Sequence, residues 1–177
     1  ISTPWSGILG EDRGAVHVVF GKGSGFAATI DLSSLSGDDG FTIVGRYESR
    51  LADSVSSAGD FNADGYDDLI LGSGSEQAGG SSTSGATYVI YGKGEPFGSM
   101  VQLDRLNGDN GFRIIGESYS DFSGSSVSSA GHVNGEGFDD LLVGGSGQEG
   151  LIRSRALIAS NTLSDASSDQ SVNWGNE

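Results

Sequence analysis

The chain has 177 residues, of which 31 are glycine and only 2 proline, with 9 basic side chains against 24 acidic ones. Glycine so far above the roughly 7% of an average protein argues for many short strands joined by many turns. A formal net charge of −15 opposes any phosphate backbone or anionic membrane, which excludes nucleic-acid binding as a main role and favours divalent cations or basic partners.

Residues 1–13 read as a loop that enters a repeating pattern partway. Gly14-Ala15-Val16-His17-Val18-Val19-Phe20-Gly21-Lys22-Gly23 recurs 71 residues later as Gly85-Ala86-Thr87-Tyr88-Val89-Ile90-Tyr91-Gly92-Lys93-Gly94. The β-branched and aromatic runs Val16 to Phe20 and Thr87 to Tyr91, bounded by glycine, predict strands rather than helices. Asp31 to Leu35 and Gln102 to Leu106 are too short to stand as helices and are read as loop structure. Phe41 to Val44 and Phe112 to Ile115 are again strands, each entered through a turn with a residue suited to positive φ, Asp38-Asp39-Gly40 and Asp109-Asn110-Gly111.

Next comes the small-residue run Ser54-Val55-Ser56-Ser57-Ala58-Gly59, which recurs at an offset of 72 as Ser126 to Gly131. Small residues in a strand mark crowded backbones, as near the axis of a ring, so this run is expected to be the innermost strand. Leu69 to Leu71 and Leu141 to Val143 follow as strands. Leu151 to Ala159 holds one further degenerate strand, and Asn161 to Glu177, rich in Ser, Asn and Asp, reads as a linker or solvated tail.

Four strands per unit predict an all-β fold of β-propeller blades, that is, four-stranded antiparallel sheets. The complete blade takes strands 55–59, 68–72, 86–91 and 112–116, with an outer pair (15–45) before it and an inner pair (126–144) after it. About two blades cannot close a ring, since propellers use roughly four to eight. The chain is therefore expected to be a piece of a longer one, or to close the ring by self-association.

Between the innermost strand and the next lies Asp60-Phe61-Asn62-Ala63-Asp64-Gly65-Tyr66-Asp67-Asp68. Oxygens at alternate positions followed by glycine let the loop curl so that Asp60, Asn62 and Asp64 face one point, within reach of Asp68 and the Tyr66 carbonyl. Such an all-oxygen set suits Ca2+, a hard cation taking six to eight oxygens. The loop is no EF-hand, because the twelfth position, which there needs a bidentate Glu, is Leu71, and β-type sequence flanks it on both sides. The alternative is an acidic surface turn without metal. The second loop departs from the pattern, with His132, Asn134, Glu136, Phe138 (through its carbonyl) and Asp140 at the ligand positions. Imidazole suits calcium poorly and Glu crowds a site sized for Asp, so this degenerate loop is expected to bind weakly or stay empty. Asp67 and Asp139, at the eighth position, are expected to point away from the cage.

These residues resemble the FG-GAP repeat family, the blades of integrin α-subunit β-propellers and their bacterial and secreted relatives. The resemblance covers about residues 14–150, and it assigns 1–150 as the repeat domain, in units of about 14–84 and 85–150, leaving 151–177 as degenerate strand and tail. Asp60–Asp68, preceded by Ser-x-Ala-Gly and followed by Leu-Ile-Leu-Gly, carries it most specifically. Phe122-Ser123-Gly124 stands where a Phe-Gly pair is expected, Ala52-Asp53 takes that place in the first unit, and Gly72-Ser73-Gly74 and Gly144-Gly145-Ser146 replace Gly-Ala-Pro. The resemblance implies a secreted or cell-surface module, structural calcium at Asp60, Asn62, Asp64, Tyr66 and Asp68, and a protein or cell-surface ligand docking on the propeller.

Other features read as architecture. Phe20, Phe41, Tyr91 and Phe112 occupy equivalent strand places and are expected to fill the core between blades. His17 is expected to face solvent, and Trp5 and Trp174 to pack against a neighbouring unit. With no cysteine, disulfides contribute nothing and the compartment stays open on that count. No apolar stretch approaches the ~20 residues of a membrane helix, so membrane insertion is not expected. Gly-x-Ser-x-Gly, His-Glu-x-x-His and Gly-x-x-x-x-Gly-Lys-Ser/Thr are absent, and no enzymatic activity is expected. The function expected is a calcium-binding extracellular β-propeller module for adhesion or protein–protein interaction. The alternatives are an accessory propeller domain of a larger secreted hydrolase and a self-assembling propeller ring.

Overall fold

A computed structural model describes residues 1–3, 13–47, 49, 51–77 and 83–147, and the backbone of 156–159. Trp5, Trp174, residues 151–155 and the tail from Asn161 lie outside the described residues. The described residues are all-β, with 3-10 turns at Leu32–Ser34 and Leu103–Arg105 and no α-helix. No helix among them is long and apolar enough to cross a membrane.

The strands are β1 (Ser2–Thr3), β2 (Ala15–Val19), β3 (Gly40–Val44), β4 (Ser54–Gly59), β5 (Asp68–Ser73), β6 (Ala86–Ile90), β7 (Met100–Gln102), β8 (Gly111–Ile115), β9 (Ser126–Gly131), β10 (Asp140–Gly144) and β11 (Ala156–Ala159). They form three sheets, ordered β1-β2-β3-β7, β4-β5-β6-β8 and β11-β10-β9. The middle sheet is antiparallel throughout and has the order of a complete propeller blade, with the small-residue strand at one edge. The four strands expected from the repeat are all present there. The ring is not closed.

Ser2–Thr3 corrects the reading of residues 1–13 as loop, because Ser2 pairs with Val16 and Thr3 with Ala15. The equivalent pairing in the next sheet joins Gly72 with Thr87 and Ser73 with Ala86, so Ile1-Ser2-Thr3 stands where Leu71-Gly72-Ser73 stands one unit on. Two residues are too few to show an alternating pattern. The strand β7 was also not foreseen. It leaves its own sheet and runs parallel to β3 of the preceding one, Thr42 opposite Met100 and Val44 opposite Gln102.

Two apolar layers explain why β5 and β6 read as unbroken apolar runs instead of alternating ones. Leu71, Tyr88 and Ile90 face the first sheet, where they meet Val16, Phe41, Ile43 and Leu51. Ile70 and Val89 face the third, where Leu141 and Val143 share a layer with them and with Ala58 and Phe61. A strand buried on both sides has no polar face to write into its sequence. The four repeat-related aromatics take their expected places, Phe20 and Phe41 in the first layer, Tyr91 and Phe112 in the second. Their rings keep one geometry in both units, 5.7 Å apart at 56° for Phe20 and Phe41 and 6.1 Å at 56° for Tyr91 and Phe112. His17 is half-buried, its Nδ1 3.0 Å from Thr42 Oγ1.

The small-residue strands β4 and β9, each at the edge of its sheet, run alongside one another. Their crowding shows at Gly72 on β5, where a Cβ would collide with the Gly124 carbonyl and the Ser54 hydroxyl. Ala52 and Gly124, one unit apart, hold φ +85° and +89° and donate equivalent hydrogen bonds to the carbonyls of Gly72 and Gly144. The turn therefore survives where the first unit replaces glycine by alanine.

Candidate metal centre

Loop one leaves the bulged end of β4 and enters β5 at Asp68, which faces inward with 0% exposure. Asp68 closes the loop from below. Its Oδ2 accepts the Phe61 N–H at 3.0 Å, and its Oδ1 accepts the Gly92 N–H at 2.7 Å. Burial pushes the Asp68 carboxyl up to about 6, against the downward pull of those two amides.

Above it, the loop folds through its own polar side chains. Asp60 accepts the N–H groups of Asp64 (2.9 Å) and Gly65 (3.0 Å) on its two oxygens. Asn62 Oδ1 also takes the Asp64 N–H at 3.0 Å, and Asp64 Oδ1 takes that of Tyr66 at 2.9 Å. These are the Asx-type bonds by which Asp and Asn shape tight loops. Gly65, at φ +90°, and Ala63, at φ +57°, supply the left-handed residues the curl requires.

Among the described residues no three His, Asp or Glu side chains come together as a group that could hold a metal ion. Loop one brings Asp60, Asn62 and Asp64 into a shared network, while Asp68 sits beneath it on the Phe61 and Gly92 amides. The donor set nevertheless fits a hard cation. It is entirely oxygen, and a carboxylate oxygen that accepts one N–H keeps a second lone pair. The Asn62 amide is held within the loop, its Oδ1 on the Asp64 N–H and its Nδ2 donating to Asp64 Oδ2 at 2.8 Å. Beside Asp64 opens a cleft of about 350 Å³, lined among others by Ile90, Val101, Lys93 and Arg105.

The second loop keeps the same frame with other groups. Asp140, also at 0% exposure, accepts the Val133 N–H at 2.8 Å, as Asp68 accepts that of Phe61. Asn134 Oδ1 takes the Glu136 N–H at 3.1 Å. His132 lies across the loop with Nδ1 2.5 Å from the Phe138 carbonyl, the oxygen that the repeat pattern would point at a metal.

One residue of this region escaped sequence reasoning. Asp139, expected to point away from its own loop, keeps Oδ1 3.8 Å from His132 Nε2 of that loop and reaches loop one, where Oδ2 accepts the Asp60 N–H at 2.9 Å. The signal was the glycine before each loop, Gly59 and Gly131, whose partner a single sequence does not name.

Three sheets packed against one another, with a polar loop at the end of the small-residue edge strand, define a module built of propeller-type blades. Residues 52–90 match the family model described as FG-GAP repeat. It is similar to integrin alpha-PS5 of Drosophila melanogaster, 29% identical over 150 residues that span 82% of this chain and 13% of the relative.

Proposed function

We propose that this chain is part of an extracellular β-propeller that serves adhesion or protein–protein interaction without catalysis, stabilised by calcium in loop one. The observation that carries the reading is the Asp60–Asp68 loop, an all-oxygen Asx-turn frame set on the innermost strand of a sheet within the FG-GAP match. Asp60, Asn62, Asp64, the Tyr66 carbonyl and Asp68 are its ligands, and calcium would supply the charge that lets these acidic groups lie close together. His132, Asn134, Glu136, Phe138 and Asp140 form a degenerate loop held by its own hydrogen bonds. Residues 1–150 are the repeat region, in units of about 14–84 and 85–150. The integrin-type likeness supports a cell-surface or secreted setting and a protein ligand.

The test is thermal melting and light-scattering mass of the chain with calcium and with chelator. A ligand that binds only the folded state stabilises it by about 2.7 kcal/mol at a hundred times its Kd, so calcium should raise the melting temperature. Identical melting in both conditions would count against an occupied loop. The mass reads self-association directly: a discrete ring of chains supports closure by several copies, a monomer a module completed by other repeats.

A further inference from the structure

Asp67 and Asp139 hold the same place, the eighth, in the two acidic loops, 72 residues apart. Their surroundings differ. The Asp139 carboxylate crosses from the third sheet to the second and accepts the Asp60 N–H at 2.9 Å, with His132 Nε2 3.8 Å from its other oxygen. It occupies the space beside Gly59, where a Cβ would overlap it. Asp67 is exposed and has no side-chain hydrogen bond among the described residues. Gly131, the counterpart of Gly59, has open space where its Cβ would stand.

The amide that Asp139 holds belongs to the first ligand position of loop one. Fixing that N–H fixes the backbone from which the Asp60 carboxylate hangs, and Asp60 organises the rest by accepting the Asp64 and Gly65 amides. We propose that Asp139 is a positioning residue for loop one, so that calcium binding at residues 60–68 is coupled to the docking of the third sheet on the second. The coupling is reciprocal: whatever the docked sheet adds to calcium affinity, calcium returns to the docking. The inference rests on the calcium reading above.

Isothermal titration with calcium alone, on the full chain, tests it with Asp139→Ala, Asp139→Asn and Asp67→Ala beside wild type. Losing one charge-assisted hydrogen bond should weaken binding roughly fivefold or more in Asp139→Ala. Asp139→Asn keeps an acceptor oxygen and should recover most of the affinity. Asp67→Ala loses the same charge from the equivalent place and should stay within about twofold of wild type. Equal weakening in Asp139→Ala and Asp139→Asn, or in Asp139→Ala and Asp67→Ala, would make the effect one of net charge and overturn the proposal. Wild-type binding with unchanged affinity in Asp139→Ala overturns the proposal alone, whereas no binding by wild type overturns the calcium reading and the proposal with it. If Asp139→Ala does not fold, amide exchange in the calcium-free wild type decides. The Asp60 amide should exchange more slowly than the His132 amide, and equal rates would reject the latch.

Discussion

Gly59 has no side chain where the carboxylate of Asp139 lies, and its backbone holds φ +68° so that the next amide points at that carboxylate. Gly131 repeats the backbone, at φ +62°, without the neighbour. Alanine at position 131 therefore meets left-handed strain alone, about 1–2 kcal/mol. Alanine at position 59 meets the same strain plus displacement of Asp139 and should cost at least ~1 kcal/mol more. Urea unfolding of the two variants under identical conditions measures the difference. Equal losses would mean that the Asp139 contact contributes nothing to stability.

Loop one should separate two kinds of acidic residue. Asp64→Ala removes an upper-loop oxygen and should abolish most of the calcium-induced rise in melting temperature while changing the chelated protein little. Asp68→Ala leaves the Phe61 and Gly92 amides without acceptors, the first of them buried. It should destabilise the chelated protein as well, by about 1–3 kcal/mol. Melting curves of both variants with and without calcium decide this.

Glu76 titrates between the first and second sheets. Burial raises its carboxyl above the usual range, against the Tyr88 hydroxyl, which donates to both of its oxygens at 2.7 and 2.6 Å, and the charges of Arg113 and Arg46. A carboxyl that holds its proton more tightly folded than unfolded adds stability below its unfolded value and loses it as pH rises through the folded value. The stability of wild type relative to Glu76→Gln should thus decline as the pH is raised from the unfolded glutamate value of about 4.3 through the higher folded one. Paired denaturant titrations across that window check the sign, and a rising difference would contradict it.

Phe41 carries the first apolar layer, at 1% exposure and stacked on Phe97 with ring centroids 4.3 Å apart. Phe41→Ala should cost about 3–5 kcal/mol, measured by chemical unfolding. A loss below ~1 kcal/mol would mean that the first sheet contributes little to the fold.

What could be read from the sequence was whatever each unit writes twice. Gly14 to Gly23 and Gly85 to Gly94 revealed strands, glycine boundaries and the Phe20 and Tyr91 core positions by their recurrence alone. The acidic loop was legible because Asx turns are local: Asp60, Asn62 and Asp64 bond to amides at most five residues away. What stayed hidden was decided between units. Met100-Val101-Gln102 is a strand because β3 offers it an edge, whereas Thr29-Ile30-Asp31, the same place one unit earlier, is not one. Asp139 gave no sign of its partner because Asp60 is 79 residues distant.

The strand β7 has a consequence for how such an array is cut or copied. It belongs by sequence to the stretch between β6 and β8, yet its backbone bonds go to β3, and the turn after it is tied back by Arg13, which donates to Asp104 at 2.9 Å. The middle tile thus overlaps the one before it. Excising residues 54–116 as a tidy block would strip Met100–Gln102 of its rail, so deletion or duplication of one tile disturbs two seams, and intact joints require trimming in pairs of neighbours.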